Sequence, residues 1–243
     1  MSVTSDALPA IAAFATPSPI AVALDAPDLE MAVELAASVG NSISTFKVGL
    51  ELYIRFGPQA VERVRAAAPE RALFLDLKLH DIPNTVAGAA RSVAHLAPDI
   101  LTVHASGGAS MIRAAADALP QTRIAAVTVL TSMSSADLEA VGLRGSPLDA
   151  VRRLAVLAVS AGATALVCSP QEVAAVRAEV GAGVLLITPG VRPAGADVGD
   201  QRRVATPEKA LADGADLLVI GRPITAADEP GAAAAALAAA LAG

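Results

Sequence analysis

Residues Ala72–His104, ALFLDLKLHDIPNTVAGAARSVAHLAPDILTVH, read as strand, helix, strand. Ala72–Leu79 and Ile100–His104 are short, largely apolar runs, and Pro83–Leu96 between them opens with a first-turn proline. Proline fits there because it lacks only an N–H that the helix leaves unbonded anyway. Strands that are apolar on both faces belong to parallel sheets covered by helices.

The alternation continues on either side of this unit. Apolar runs recur at Ile20–Leu24, Ile43–Val48, Ile124–Leu130, Thr164–Cys168, Val184–Thr188 and Leu217–Ile220. Segments with helical spacing or caps are Asp28–Val39, Pro58–Ala68, Gly108–Leu119, Ser146–Ala161, Pro170–Val180, Thr206–Asp213 and Pro230–Ala242. Thr206-Pro207-Glu208 supplies a capping hydroxyl, a first-turn proline and an acid beside the positive helix end. Eight strand–helix units predict an α/β fold, a single (β/α)8 TIM barrel over residues 19–243. A doubly wound sheet would carry a glycine-rich loop after its first strand, where this chain has Leu24-Asp25-Ala26-Pro27. Residues 1–18 read as a loosely held N-terminal extension.

Composition narrows the function. The chain has 243 residues, 58 of them alanine, and only four Phe, one Tyr and no Trp. Mean hydropathy is +0.55, yet the uncharged run Ala7–Leu24 holds three prolines and Leu154–Gln171 is split by Gly162 and Pro170. Neither predicts a membrane span. A net charge of −6 and scarce rings argue against nucleic acid as a partner. The first basic residue is Lys47, which predicts no secretory signal, and the single cysteine, Cys168, suits a reducing cytoplasm.

Polar residues gather where the strands end: Asp25, Lys47, Asp76 with Lys78, His104, Thr131, Ser169, Pro189-Gly190-Val191-Arg192 and Gly221-Arg222. In a barrel these ends form one rim, where active sites sit. With period two, Asp76 and Lys78 share a strand face while Leu77 and Leu79 point the other way. A carboxylate and an ammonium inside a barrel need each other, and Lys47 on the neighbouring strand supplies a second contact. Gly190, Gly221 and Arg222 follow strands seven and eight, a usual phosphate position, with Gln201, Arg202 and Arg203 on the intervening loop. His80, His95 and His104 show no metal-ligand spacing, and Cys168 reads as core.

Phe74–Val86, FLDLKLHDIPNTV, resembles the signature of the orotidine 5′-phosphate decarboxylase family. The resemblance extends through Ala23-Leu24-Asp25, Phe46-Lys47-Val48-Gly49, Leu130-Thr131-Ser132, Thr188–Arg192, Asp200-Gln201-Arg202 and Ile220-Gly221-Arg222. It implies a metal-free and cofactor-free carboxy-lyase that converts orotidine 5′-phosphate to uridine 5′-phosphate. It further implies Lys78 as proton donor within a Lys47–Asp76–Lys78–Asp81 charge network. Asp25 would hold the ribose with Lys47, and Thr85 and Thr131 would contact substrate. Arg192, Gln201 and Arg222 would bind the phosphate end, with the Gly221 N–H. A homodimer is implied, with Asp81 and Thr85 contributed across the interface.

The chemistry fits these groups. Loss of CO2 from C6 leaves an in-plane carbanion poorly conjugated with the ring carbonyls, so fixed charge must stabilise it. Two alternatives use the same barrel: a metal-dependent sugar-phosphate decarboxylase or synthase, and a non-catalytic phosphoribosyl-ligand binding protein. Simple binding has no need of two buried lysines facing acids, which disfavours the second.

Overall fold

A computed structural model of the chain describes residues 8–193 and 205–242. Eight parallel strands close in sequence order, with β8 pairing back onto β1. The first half runs β1 (Ile20–Ala23), α1 (Leu29–Val39), β2 (Thr45–Gly49), α2 (Leu50–Phe56), α3 (Pro58–Ala67), β3 (Ala72–Leu79), α4 (Pro83–Val93), β4 (Ile100–His104) and α5 (Ala109–Ala118). Then follow β5 (Arg123–Val127), α6 (Ser135–Ala140), α7 (Pro147–Ser160), β6 (Ala165–Val167), α8 (Val173–Val180) and β7 (Leu185–Pro189). The chain ends with α9 (Pro207–Ala212), β8 (Leu217–Ile220), α10 (Arg222–Thr225) and α11 (Pro230–Leu241). The expected single (β/α)8 barrel is the observed fold.

Alternation along the strands divides the core in two. Ala21, Phe74, Ile100, Ala125, Ala165, Leu185, Ile187 and Leu217 fill the barrel interior, while Ile20, Val22, Leu75, Leu101 and Leu186 pack outward under the helices. Alanine therefore serves the interior as well as the helices. Three small side chains there make room for Phe74 and for Phe14, which enters from outside the barrel strands.

Phe14 revises one expectation. Residues 9–18 are not loosely held: Ile11–Ala15 forms a 3-10 turn, Phe14 is buried in the interior cluster, and Ser18 Oγ donates to Ser42 O at 2.6 Å. Arg123, at the start of β5, donates through Nε to Pro9 O at 3.0 Å. An apolar ring thus closes the end of the barrel opposite the polar rim.

Three of the expected elements differ in ways that bear on the site. The run Ile124–Leu130 leaves the sheet after Val127, where its pairing with both β4 and β6 ends. Thr128 ends the ladder on Val167, through its N–H at 3.1 Å and its hydroxyl at 2.9 Å, and Val129 and Leu130 turn into the cavity wall. The segment Pro170–Val180 becomes helical only at Val173. Helices α2, α6 and α10 are additions of seven residues or fewer, too short for helical periodicity to show.

The third difference lies in β3. Leu75 pairs with Leu101, but the next pairing is Leu79 with Val103, so β3 takes four steps where β4 takes two. Such a bulge bends a strand and re-aims its side chains. Lys78 sits in it with φ of 48°, an uncommon conformation for a residue with a side chain. Asp76 and Lys78 still reach the same cavity, with Leu77 and Leu79 packed on the outer core, as alternation predicts; what the bulge adds is the irregular backbone at Lys78.

Candidate active site

The C-terminal ends of the strands surround a cavity of about 670 Å³, a size usual for a small-molecule site. Asp25, Lys47, Asp76 and Lys78 line the side built by β1 to β3. Thr131, Arg192, Gly221 and Arg222 line the side built by the ends of β5, β7 and β8. Phe74, Val127 and Val219 give it an apolar floor. These are eight of the eleven residues singled out from sequence.

The other three lie elsewhere. Asp81 and Thr85 do not line the cavity of their own chain; both are exposed on the loop and first turn leading into α4. Asp81 Oδ1 accepts the Ile82 N–H at 2.6 Å, and Ile82 itself is 66% exposed. Gln201, with Arg202 and Arg203, lies outside the described residues.

Asp76 is the hub of the charged side. Its Oδ2 faces Lys78 Nζ at 2.8 Å and Lys47 Nζ at 3.5 Å, while Lys47 also reaches Asp25 Oδ1 at 3.4 Å. Burial by itself would raise the Asp76 pKa; the nearby Lys47 and Lys78 ammoniums outweigh it and hold the carboxyl below its usual value. Gly49 lies close beside this cluster: a Cβ there would sit 2.8 Å from Lys47 Nζ and 3.0 Å from Asp25 Oδ1, so a larger residue would displace those side-chain ends.

The cavity wall holds four cationic side chains and two carboxylates, although the whole chain carries a net charge of −6. This local excess of positive charge favours an anionic ligand. Gly190, at φ of 79°, allows the turn that carries Arg192 back to the cavity, and Gly221 stands directly before α10. Arginine forks at this end can grip phosphate oxygens in pairs.

His104, at the end of β4, packs against His80 with ring centroids 5.5 Å apart. Burial, aided by His80 and Lys78, lowers its pKa. Among the described residues, no group of three or more His, Cys, Asp or Glu side chains is placed to hold a metal ion. Among them, too, no helix is long and apolar enough to cross a membrane.

Residues 18–237 match the family described as Orotidine 5'-phosphate decarboxylase / HUMPS. The chain belongs to this family. An orotidine 5'-phosphate decarboxylase of Thermobifida fusca is 75% identical over 224 residues, covering 92% of this chain and 96% of that protein. One of Frankia casuarinae is 57% identical, covering 92% of this chain and 88% of its own. Among solved structures, the orotidine 5'-phosphate decarboxylase of Lactobacillus acidophilus superposes with a TM-score of 0.81 at 34% identity, covering 93% of this chain and 99% of that one.

Within this family member, sequence reasoning missed Thr102. Its Oγ1 donates to Asp76 Oδ1 at 2.9 Å and accepts the Lys78 N–H at 2.8 Å. A signal was present: period two from the inward-facing Ile100 turns Thr102 into the barrel, where a hydroxyl needs a partner.

Proposed function

We propose that this chain is a carboxy-lyase that removes the C6 carboxylate of orotidine 5′-phosphate, giving uridine 5′-phosphate and CO2 in pyrimidine biosynthesis. The observation that carries the reading is the Lys78 ammonium fixed 2.8 Å from Asp76 at the wall of a positively charged cavity large enough for a small molecule. The bond from C6 to the carboxylate breaks, and its electron pair stays on C6. Lys78 stabilises that charge and then delivers a proton to C6. Water restores the proton to the amine.

Asp76 holds Lys78 in place and faces the departing carboxylate. Two such anions ~4 Å apart repel by about 4 kcal/mol at an effective dielectric of ~20. Lys47 and Lys78 offset that repulsion, and Lys47 ties Asp76 to Asp25, with which it holds the ribose. Thr131 contacts the base or sugar. Arg192 and Arg222, with Gln201 and the Gly221 N–H, take the phosphate, whose binding energy is available to order the site around the reacting carbon. Neither metal nor organic cofactor has a part in this reading.

Asp81 and Thr85 act in a homodimer. Their exposure beside Ile82, outside their own chain's cavity, supports their reaching the site of a second copy. We read residues 19–243 as the catalytic domain, residues 1–18 as its N-terminal extension, and the cytoplasm as its location.

The direct test follows the loss of orotidine 5′-phosphate absorbance with purified protein after exhaustive chelation. Turnover is expected to persist. Activity that vanishes on chelation and returns with a divalent metal would favour the metal-dependent alternative. Arg222→Ala should weaken uridine 5′-phosphate on the order of 10–100-fold, since a charged hydrogen bond contributes about 1.5–3 kcal/mol, while uridine binding changes little. Equal losses for both ligands in calorimetric titrations would remove Arg222 from the phosphate role.

A further inference from the structure

We propose that Thr102 is a positioning residue: its hydroxyl fixes which Asp76 oxygen faces the lysines and where the β3 bulge places Lys78. The inference rests on Lys78 being the proton donor.

A hydroxyl has one proton and two lone pairs. With its proton given to Asp76 Oδ1 at 2.9 Å, the lone pairs of Oγ1 are left for the Lys78 N–H at 2.8 Å. The bond to Asp76 is strongest while that carboxylate is ionised. Engaging Oδ1 also blocks rotation of the carboxylate, so that Oδ2 alone is presented to Lys78 at 2.8 Å and Lys47 at 3.5 Å.

The same hydroxyl takes the place of a missing rung in the sheet. Between the Leu75–Leu101 and Leu79–Val103 pairings β3 leaves its register, and Lys78 adopts φ of 48°. A backbone N–H buried in such a gap needs an acceptor, and Thr102 supplies it from the middle of β4. Thr102 is fully buried, so solvent does not compete for either bond. One side chain thus sets both ends of the Asp76–Lys78 pair, the carboxylate by its oxygen and the lysine by its backbone.

The charged and titratable groups around Asp76 are Lys47 from β2 and Lys78 from β3, with Asp25 beyond Lys47 and His104 at the end of β4. Among them the Thr102 hydroxyl is a neutral donor, and its bond favours the ionised carboxylate.

Thr102→Val keeps size and branching but removes both bonds, and Thr102→Ser keeps the hydroxyl. In the valine variant kcat should fall on the order of 10–100-fold, as expected of a reacting group displaced by a fraction of an ångström. KM should stay within about threefold, because the phosphate contacts are untouched. The acid limb of the kcat profile should move to higher pH, and the Asp76 carboxyl titration, followed by carbon NMR, should move with it. Serine should restore both. An Asp76 titration unmoved in the valine variant overturns the proposal whether or not the chain turns over orotidine 5′-phosphate. So does a serine variant that behaves like valine. Inactivity of the native chain would instead count against the decarboxylase reading, and the titration would still decide this one. If the valine variant does not fold, Thr102→Ala carries the same readouts.

Discussion

Lys78→Ala is expected to lower kcat by on the order of 10^4 or more while the barrel still folds. The side chain serves twice, as the charge beside the carbanion and as the proton source, and each role is worth at least about a hundredfold. The fold should survive because the Lys78 side chain is 29% exposed, so water can enter where it is cut back. Circular dichroism and turnover on the same sample check the two halves, and turnover within tenfold of native would overturn the assignment. The variant also tests the dimer. Mixed with Asp81→Ala, itself expected to be nearly inactive, Lys78→Ala should form heterodimers with one native site, recovering roughly a quarter of native activity after statistical exchange. No recovery on exchange would count against Asp81 crossing the interface.

Asp76→Asn has the second large effect, and it falls on stability as well as rate. The substitution keeps shape but leaves the Lys47 and Lys78 ammoniums facing an amide. Removing one partner of a buried ion pair typically costs about 3–5 kcal/mol. We expect the lower end here, about 3 kcal/mol, because Lys78 has access to water. The acid side of the stability curve follows from the same residue. Its folded pKa lies below its unfolded value of about 3.9, so its contribution is complete above that value and is lost as pH falls through the folded pKa. The native protein should therefore lose stability steeply below about pH 4, and Asp76→Asn should lose less over that window. Urea unfolding across pH checks this; a variant as stable as native at pH 7 would show that Asp76 does not hold the lysines.

Much of this molecule can be read from residue order. Continuous apolar runs such as Leu217–Ile220 mark strands buried on both faces, and a strand end marks the start of solvent, so Asp25, Lys47, Arg192 and Arg222 were legible as a common rim. Strand lengths were less legible. Ile124–Leu130 looks like one strand, yet its pairing on both sides ends at Val127, opposite His104 of β4 and Val167 of β6. Phe14 looked like part of a loose tail because most of the cluster it joins, such as Phe74, Ile100 and Ile187, is distant in sequence.

The sequence by itself determined the number of strands, their parallel order and the set of charges at one rim, because burial periodicity and strand-end polarity are local properties. Tertiary structure alone decided the β3 bulge, the positive φ of Lys78 and the Thr102 bridge to Asp76. Each of these depends on which residues of β3 and β4 stand opposite one another, and register is fixed by the packing of the whole closed barrel.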